Sequence, residues 1–242
     1  MVPVVASIPT MTYSRDITTA FEAITTATLT TVLLKMGLRN VWMRGAFPLR
    51  QGQKRVAGPA FTLRFIPARE DLATPASWAS PISTRTAIEA MPDGCIAVID
   101  AMGVTDAGVF GDILCARMAV RKVAALVTDG VVRDLEGVLD TGLPVWAAGA
   151  AAPASVAGLT FVNWGEAIAC GGVAIFPDDL IVADKDGAVV IPAALVDDVL
   201  AAAIEQERLE GWIMEQVKSG AELPGLYPPN EANKKAYEES KK

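Results

Sequence analysis

The chain changes texture near residue 158, and that change constrains its fold more than any other feature. Before it, strand and helix alternate. Cys95-Ile96-Ala97-Val98-Ile99 reads as a buried strand ending at Asp100, Ile113 to Arg121 as a helix, Ala124 to Thr128 as a strand and Pro144 to Ala147 as another short one. This is the pattern of an α/β sheet. After it, β segments crowd together between Gly and Asp turns: Gly158 to Asn163, Val173 to Phe176, Leu180 to Ala183 and Ala188 to Ile191. On the amino-terminal side, Phe21, Ile24, Leu29, Val32, Leu33 and Met36 fall at helical spacing, so residues 16 to 37 are expected to form one amphipathic helix stopped by Gly37. Residues 56 to 65 read as a strand, 67 to 83 as a polar loop, Thr84 to Met91 as a short helix and Pro92-Asp93-Gly94 as a turn. Pro192 opens a long helix to about Lys218, with Leu195, Val199, Leu200, Ile204 and Leu209 as a core-packing stripe.

With 242 residues, 52% of them hydrophobic, residues 1–219 suffice for a single domain with a substantial core. The Pro-rich, charged segment 220–242 has no core of its own and is expected to be extended or laid across a neighbouring subunit. No apolar run approaches the roughly 20 residues that cross a bilayer. The first residues lack the basic and apolar blocks of a secretory signal. Cys95, Cys115 and Cys170 are scattered and odd in number, which suits reduced thiols. Together these features point to a cytoplasmic protein with no membrane partner. The formal charge of −7 argues against nucleic acid, whose binding calls for a basic face. The chain contains no histidine, so Ser-His-Asp triads, Cys-His pairs and His-ligated zinc are excluded within it.

The segments that carry chemistry are Gly103-Val104-Thr105-Asp106-Ala107-Gly108-Val109-Phe110-Gly111-Asp112-Ile113-Leu114-Cys115 and Thr128-Asp129-Gly130-Val131-Val132-Arg133-Asp134. Both stand where strands give way to loops, the side of an α/β sheet on which ligands settle. Gly111-Asp112 at a helix start is a plausible anion cradle. Arg133 offers a planar fork for a carboxylate, and Asp134 a hard oxygen ligand for Mg²⁺ or Mn²⁺. Plainer readings stand beside these. Asp112 fits an N-cap, Arg133 and Asp134 fit a surface ion pair, and Asp100, Asp106 and Asp129 fit turn formers.

Gly111-Asp112, twenty intervening residues and Arg133-Asp134 together resemble the Asp-x20-Arg-Asp signature of the RraA-like family. That family includes class II 4-hydroxy-4-methyl-2-oxoglutarate/4-carboxy-4-hydroxy-2-oxoadipate aldolases, oxaloacetate decarboxylases and regulators of ribonuclease E activity. The resemblance extends over roughly residues 18 to 205. It takes in Thr26-Ala27-Thr28-Leu29, Val56-Ala57-Gly58-Pro59-Ala60, Val127-Thr128-Asp129-Gly130 and Pro177-x-Asp179-x-Ile181-Val182-Ala183-Asp184-x-Asp186-Gly187-Ala188-Val189. It implies an α-β-β-α sandwich related to swivelling phosphohistidine-type domains, assembled as a trimer or hexamer with sites at subunit boundaries. It further implies that Asp134 binds the metal directly and that Asp112 holds a metal-bound water. Arg133 would polarise the keto oxygen or grip the carboxylate, and backbone amides around Gly111, Asp112, Ile113 and Leu114 would help bind that carboxylate. The sequence departs from the family at Thr31, where many relatives carry Asp, and in the long loop 67–83.

The leading expectation is a divalent-metal lyase on a 2-keto acid, by retro-aldol cleavage to pyruvate or by oxaloacetate decarboxylation. A variant is dehydration of a 2-keto-3-deoxy sugar acid, to which the hydroxyls of Ser77, Ser80, Ser83 and Thr84 would be suited. The alternatives are a non-enzymatic regulator of a ribonuclease and, ranked last, a Schiff-base lyase using Lys122 or Lys185.

Overall fold

The computed structural model describes residues 13–241. Its helices are α1 (Arg15–Glu22), α2 (Thr26–Lys35), α3 (Thr84–Ala90), α4 (Asp112–Val120), α5 (Leu135–Asp140), α6 (Val196–Lys218) and α7 (Glu231–Ser240). The strands are β1 (Trp42–Met43), β2 (Phe47–Pro48), β3 (Val56–Pro67), β4 (Ile96–Asp100), β5 (Ala125–Thr128), β6 (Val145–Ala147), β7 (Leu159–Trp164), β8 (Ile168–Cys170), β9 (Val173–Ile175), β10 (Leu180–Asp184) and β11 (Gly187–Ile191). The result is a mixed α/β fold.

The long strand β3 is the spine. Its first residues pair antiparallel with β10, its middle pairs parallel with β4, and its end pairs antiparallel with β7. From β4 the sheet continues in parallel through β5 to β6 and closes antiparallel on β2; from β10 it continues through β11 to β1. Successive residues of these strands feed opposite faces, as the period of two requires. Ile96, Val98, Ala125, Val127 and Trp146 join the core under α1, α2 and α6. Ala97, Ile99, Leu126, Val145 and Ala147 join the core under α3, α4 and α5.

The single helix expected over residues 16 to 37 is two helices crossing at 101°. The threonines between them explain the break. Thr25 caps α2 by accepting from Thr28 N, while its own N–H donates to Glu207 Oε1 at 3.0 Å. Thr26 donates through its N–H and hydroxyl to the two oxygens of Asp184, at 2.9 and 2.7 Å. These bonds suit a turn better than a helix interior. The long carboxy-terminal helix begins at Val196, after a 3-10 turn over Ala193–Leu195, and Ala203 rather than Ile204 takes the core position of its stripe.

The chain after Gly220 is not extended. Asn230 caps α7, whose Tyr237 packs against Trp212 of α6 at 5.8 Å between ring centroids. Lys241 reaches Glu205 of the same helix. Among the described residues, no single helix is long and apolar enough to cross a membrane.

Candidate functional site

The parallel strands β4 and β5 end at one rim of the sheet, and the loops leaving them converge there. Gly108 forms parallel bridges with Val131 on one side and Ala154 on the other. Val109 N donates to Val131 O at 2.8 Å, and Arg133 N to Phe110 O at 2.9 Å. A Cβ at position 108 would stand 2.7 Å from Arg133 N, so only glycine permits this approach.

Gly111 is the N-cap of α4 and Asp112 its first helical residue, which corrects the reading of Asp112 as the cap. Asp112 Oδ1 accepts from Ile113 N at 2.7 Å. The first-turn amides of a helix have no intrahelical acceptor, and with Ile113 N taken, those of Asp112 and Leu114 remain for a ligand. Ile113 itself is 78% exposed, whereas Leu114 packs partly against the core.

Asp134 sits at the N-cap of α5 with φ 53° and ψ 51°, and its side chain makes no capping bond. The left-handed region costs an L-residue about 1–2 kcal/mol, although Asp tolerates it better than most. Its Oδ2 accepts from Arg133 Nε at 3.1 Å. Both side chains stay substantially exposed, at 50% and 38%, so this pair adds little to stability.

Two glycines draw the three residues together. A Cβ on Gly111 would lie 3.1 Å from Arg133 Cγ and 3.3 Å from Asp134 Oδ2; one on Gly137 would lie 2.8 Å from Asp112 Cβ. Asp112, Arg133 and Asp134 therefore share one open ledge. The sequence did not single out Gly108 or Gly137 as parts of it. Gly137 lies inside α5, where glycine costs about 1 kcal/mol relative to alanine unless close contact requires it.

The neighbouring aspartates are spent on structure. Asp129 accepts from Ala101 N at 2.8 Å and from Gly103 N and Gly171 N at 3.0 Å each. Burial pushes its carboxyl above the usual range; these amides oppose the shift, and the charge of Asp100 adds to it. Asp100 accepts from Met102 N and Ala169 N. Lys122 is paired with Asp93 and exposed, beyond the far end of α4 from Asp112, and Lys185 is also exposed. Neither has the apolar setting a Schiff-base lysine needs.

Residues 24–190 match the model of the RraA-like family, described as Aldolase/RraA. The chain belongs to the RraA-like family. A Halalkalibacterium halodurans protein provisionally named 4-hydroxy-4-methyl-2-oxoglutarate aldolase is 32% identical over 79% of this chain and 84% of its own length. Protein DlpA of Legionella pneumophila is 31% identical over 73% of this chain, which spans only 28% of DlpA. The crystal structure of Streptomyces coelicolor RraAS2, described as an unusual member of the RNase ES inhibitor RraA family, superposes with a TM-score of 0.75. It is 31% identical, over 84% of this chain and 98% of that one.

Asp112 and Asp134 are the carboxylates this RraA-like ledge offers to a divalent ion. Among the described residues, no group of three or more His, Cys, Asp or Glu converges on one point, so a closed tetrahedral zinc centre has no ligands here. Mg²⁺ usually keeps several waters and takes one or two protein carboxylates, the donor set that Asp112 and Asp134 offer. Oδ1 of Asp134 and Oδ2 of Asp112 have no hydrogen-bond partner among the described residues.

Proposed function

We propose that this RraA-like chain is a divalent-metal lyase acting on a 2-keto acid, releasing pyruvate by retro-aldol cleavage or decarboxylating oxaloacetate. The observation that carries the reading is the strained Asp134, whose carboxylate meets Arg133 through one oxygen only and lies against Gly111, the residue before Asp112. Asp134 would hold Mg²⁺ or Mn²⁺ directly and Asp112 would hold it through water, supplying positive charge where the pyruvate enolate oxygen develops. The Arg133 guanidinium would grip the keto acid with paired N–H donors, and the amides of Asp112 and Leu114 would orient its carboxylate. Oδ2 of Asp112 is the open acceptor that would hold a water for proton transfer, which makes a histidine unnecessary.

The ledge is too exposed to exclude water alone, which favours closure by another copy in a trimer or hexamer. The aldolase name of the H. halodurans relative and the inclusion of aldolases in the family description support lyase chemistry. A cytoplasmic location and the swivelling-domain subclass complete the reading. In excess EDTA, pyruvate release from 4-hydroxy-4-methyl-2-oxoglutarate and from oxaloacetate is expected to stop, and added Mg²⁺ to restore it. Undiminished release with metal removed would reject the mechanism.

The similarity to RraAS2 favours one second reading, a ribonuclease-binding regulator, to which the acidic surface is suited. Tight ribonuclease binding that survives Arg133→Ala and Asp134→Ala, with no lyase activity on any keto acid, would decide for it.

A further inference from the structure

A cavity of about 340 Å³ lies between the loop 67–83, the start of α3 and β7. None of the described residues lining it is ionised. Its walls combine aromatic and aliphatic surface, including Trp78, Phe161 and Val156, with the hydroxyls of Ser80, Thr160 and Ser155. Thr160 Oγ1 accepts from Arg69 N at 2.9 Å and Ser80 Oγ from Ile82 N at 3.1 Å, so each keeps its own proton to donate. Neither nearby cation is among the lining residues: Arg69 is paired through two nitrogens with Asp71, and Arg85 lies over the Trp78 ring, 5.0 Å from its centroid, donating to Thr84 Oγ1 at 3.4 Å.

Two features tie this cavity to the ledge. Arg117 of α4 forms a two-point ion pair with Glu89 of α3, both bonds 2.8 Å. Just past the ends of the two helices, Arg121 donates to Met91 O at 2.8 Å and Gly94 N to Lys122 O at 2.9 Å. Arg117 and Glu89 stand equally far along the chain from Asp112 and Thr84, and packed helices lie roughly 8–10 Å apart. Independently, Gly108 bridges Val131 on one side and Ala154 on the other. Two strand spacings of roughly 4.8 Å therefore separate the approach to Arg133 from the approach to Ser155.

We infer that this cavity is the specificity subsite for the far end of the substrate, and that it takes an uncharged, hydroxyl-bearing carbon chain rather than a second carboxylate. The inference rests on the keto-acid reading of the ledge and adds what lies beyond it. Apolar walls cover the carbon skeleton while hydroxyls meet hydroxyls, and a terminal carboxylate would be desolvated there with no cation among the lining residues.

The test is binding to the full chain with Mg²⁺, read by tryptophan fluorescence before turnover, since Trp78 lines the cavity. The probes are pyruvate, 2-keto-3-deoxygluconate and 2-oxoglutarate. The sugar acid is expected to bind at least tenfold tighter than either of the others. Val156→Phe, which narrows the cavity, is expected to abolish that advantage, and Ser155→Ala to reduce it about threefold, both leaving pyruvate within twofold. Arg133→Ala is expected to weaken all three. The inference is overturned if the sugar acid gains nothing over pyruvate, if 2-oxoglutarate binds more tightly, or if neither cavity variant affects the sugar acid selectively. Should Val156→Phe not fold, Ser155→Ala carries the test. Sugar-acid binding without any turnover would reject the lyase reading alone; absence of binding by every keto acid would reject both.

Discussion

The aspartates of the ledge and two buried ones elsewhere in the fold differ in what their oxygens do. Asp129 and Asp184 are buried, and each is met by several donors from its own chain. Asp112 and Asp134 have one recorded partner each, supplied by an adjacent residue, and Asp134 lies in left-handed backbone. Carboxylates with saturated oxygens hold loops together, while carboxylates with open oxygens are available to a ligand. The two groups should therefore respond to substitution in opposite ways.

The largest expected effect is on turnover. Asp134→Ala or Arg133→Ala should lower kcat/KM on the responsive keto acid by about 100-fold or more, the scale of losing one electrostatic contact to a developing oxyanion. Thermal midpoints should move by no more than a few degrees. A variant that lost its fold before its activity would break the distinction.

Asp129→Ala should do the reverse. It strands the buried amides of Ala101 and Gly171, each worth about 1–3 kcal/mol when unsatisfied, so the urea midpoint should fall by an amount equivalent to roughly 2 kcal/mol or more. An unchanged midpoint would show that these bonds are not structural.

Asp184 sharpens the comparison through pH. Burial raises its pKa, but the hydrogen bonds from Thr26 and Asp186 and the Arg55 charge outweigh that and hold the carboxyl below its ordinary value. A depressed folded-state pKa means stability that is present above the unfolded value and lost as pH falls through the folded one. Acid titration of stability should therefore be steeper below about pH 4 in the wild type than in Asp184→Asn.

The smallest effect concerns the thiols. Burial pushes Cys95 and Cys115 up to about 12, and Cys170 well above its ordinary value. In native protein at pH 8 a disulfide reagent should modify none of them, and unfolding should release all three.

The central strands were legible because each is a continuous apolar run between punctuating residues. The two-residue strands β1 and β2 were not, since two residues carry no period, and α5 has too few turns to show one. The bend between α1 and α2 was hidden because its cause lies far along the chain, in Asp184 and Glu207. For the site, the spacing of Asp112, Arg133 and Asp134 marked the residues themselves. Their convergence depends on Gly108 and Gly137, whose purpose appears only once a second backbone lies against them, and on the left-handed turn at Asp134.

Strand β3 has a consequence for biosynthesis. It leaves the ribosome before its partners β7 and β10, which follow about a hundred residues or more behind it. At roughly 5–20 residues per second the nascent strand waits several seconds with an unpaired edge. Its Gly58-Pro59 interruption and the charged Arg64 stand where premature pairing with another chain would otherwise be easiest.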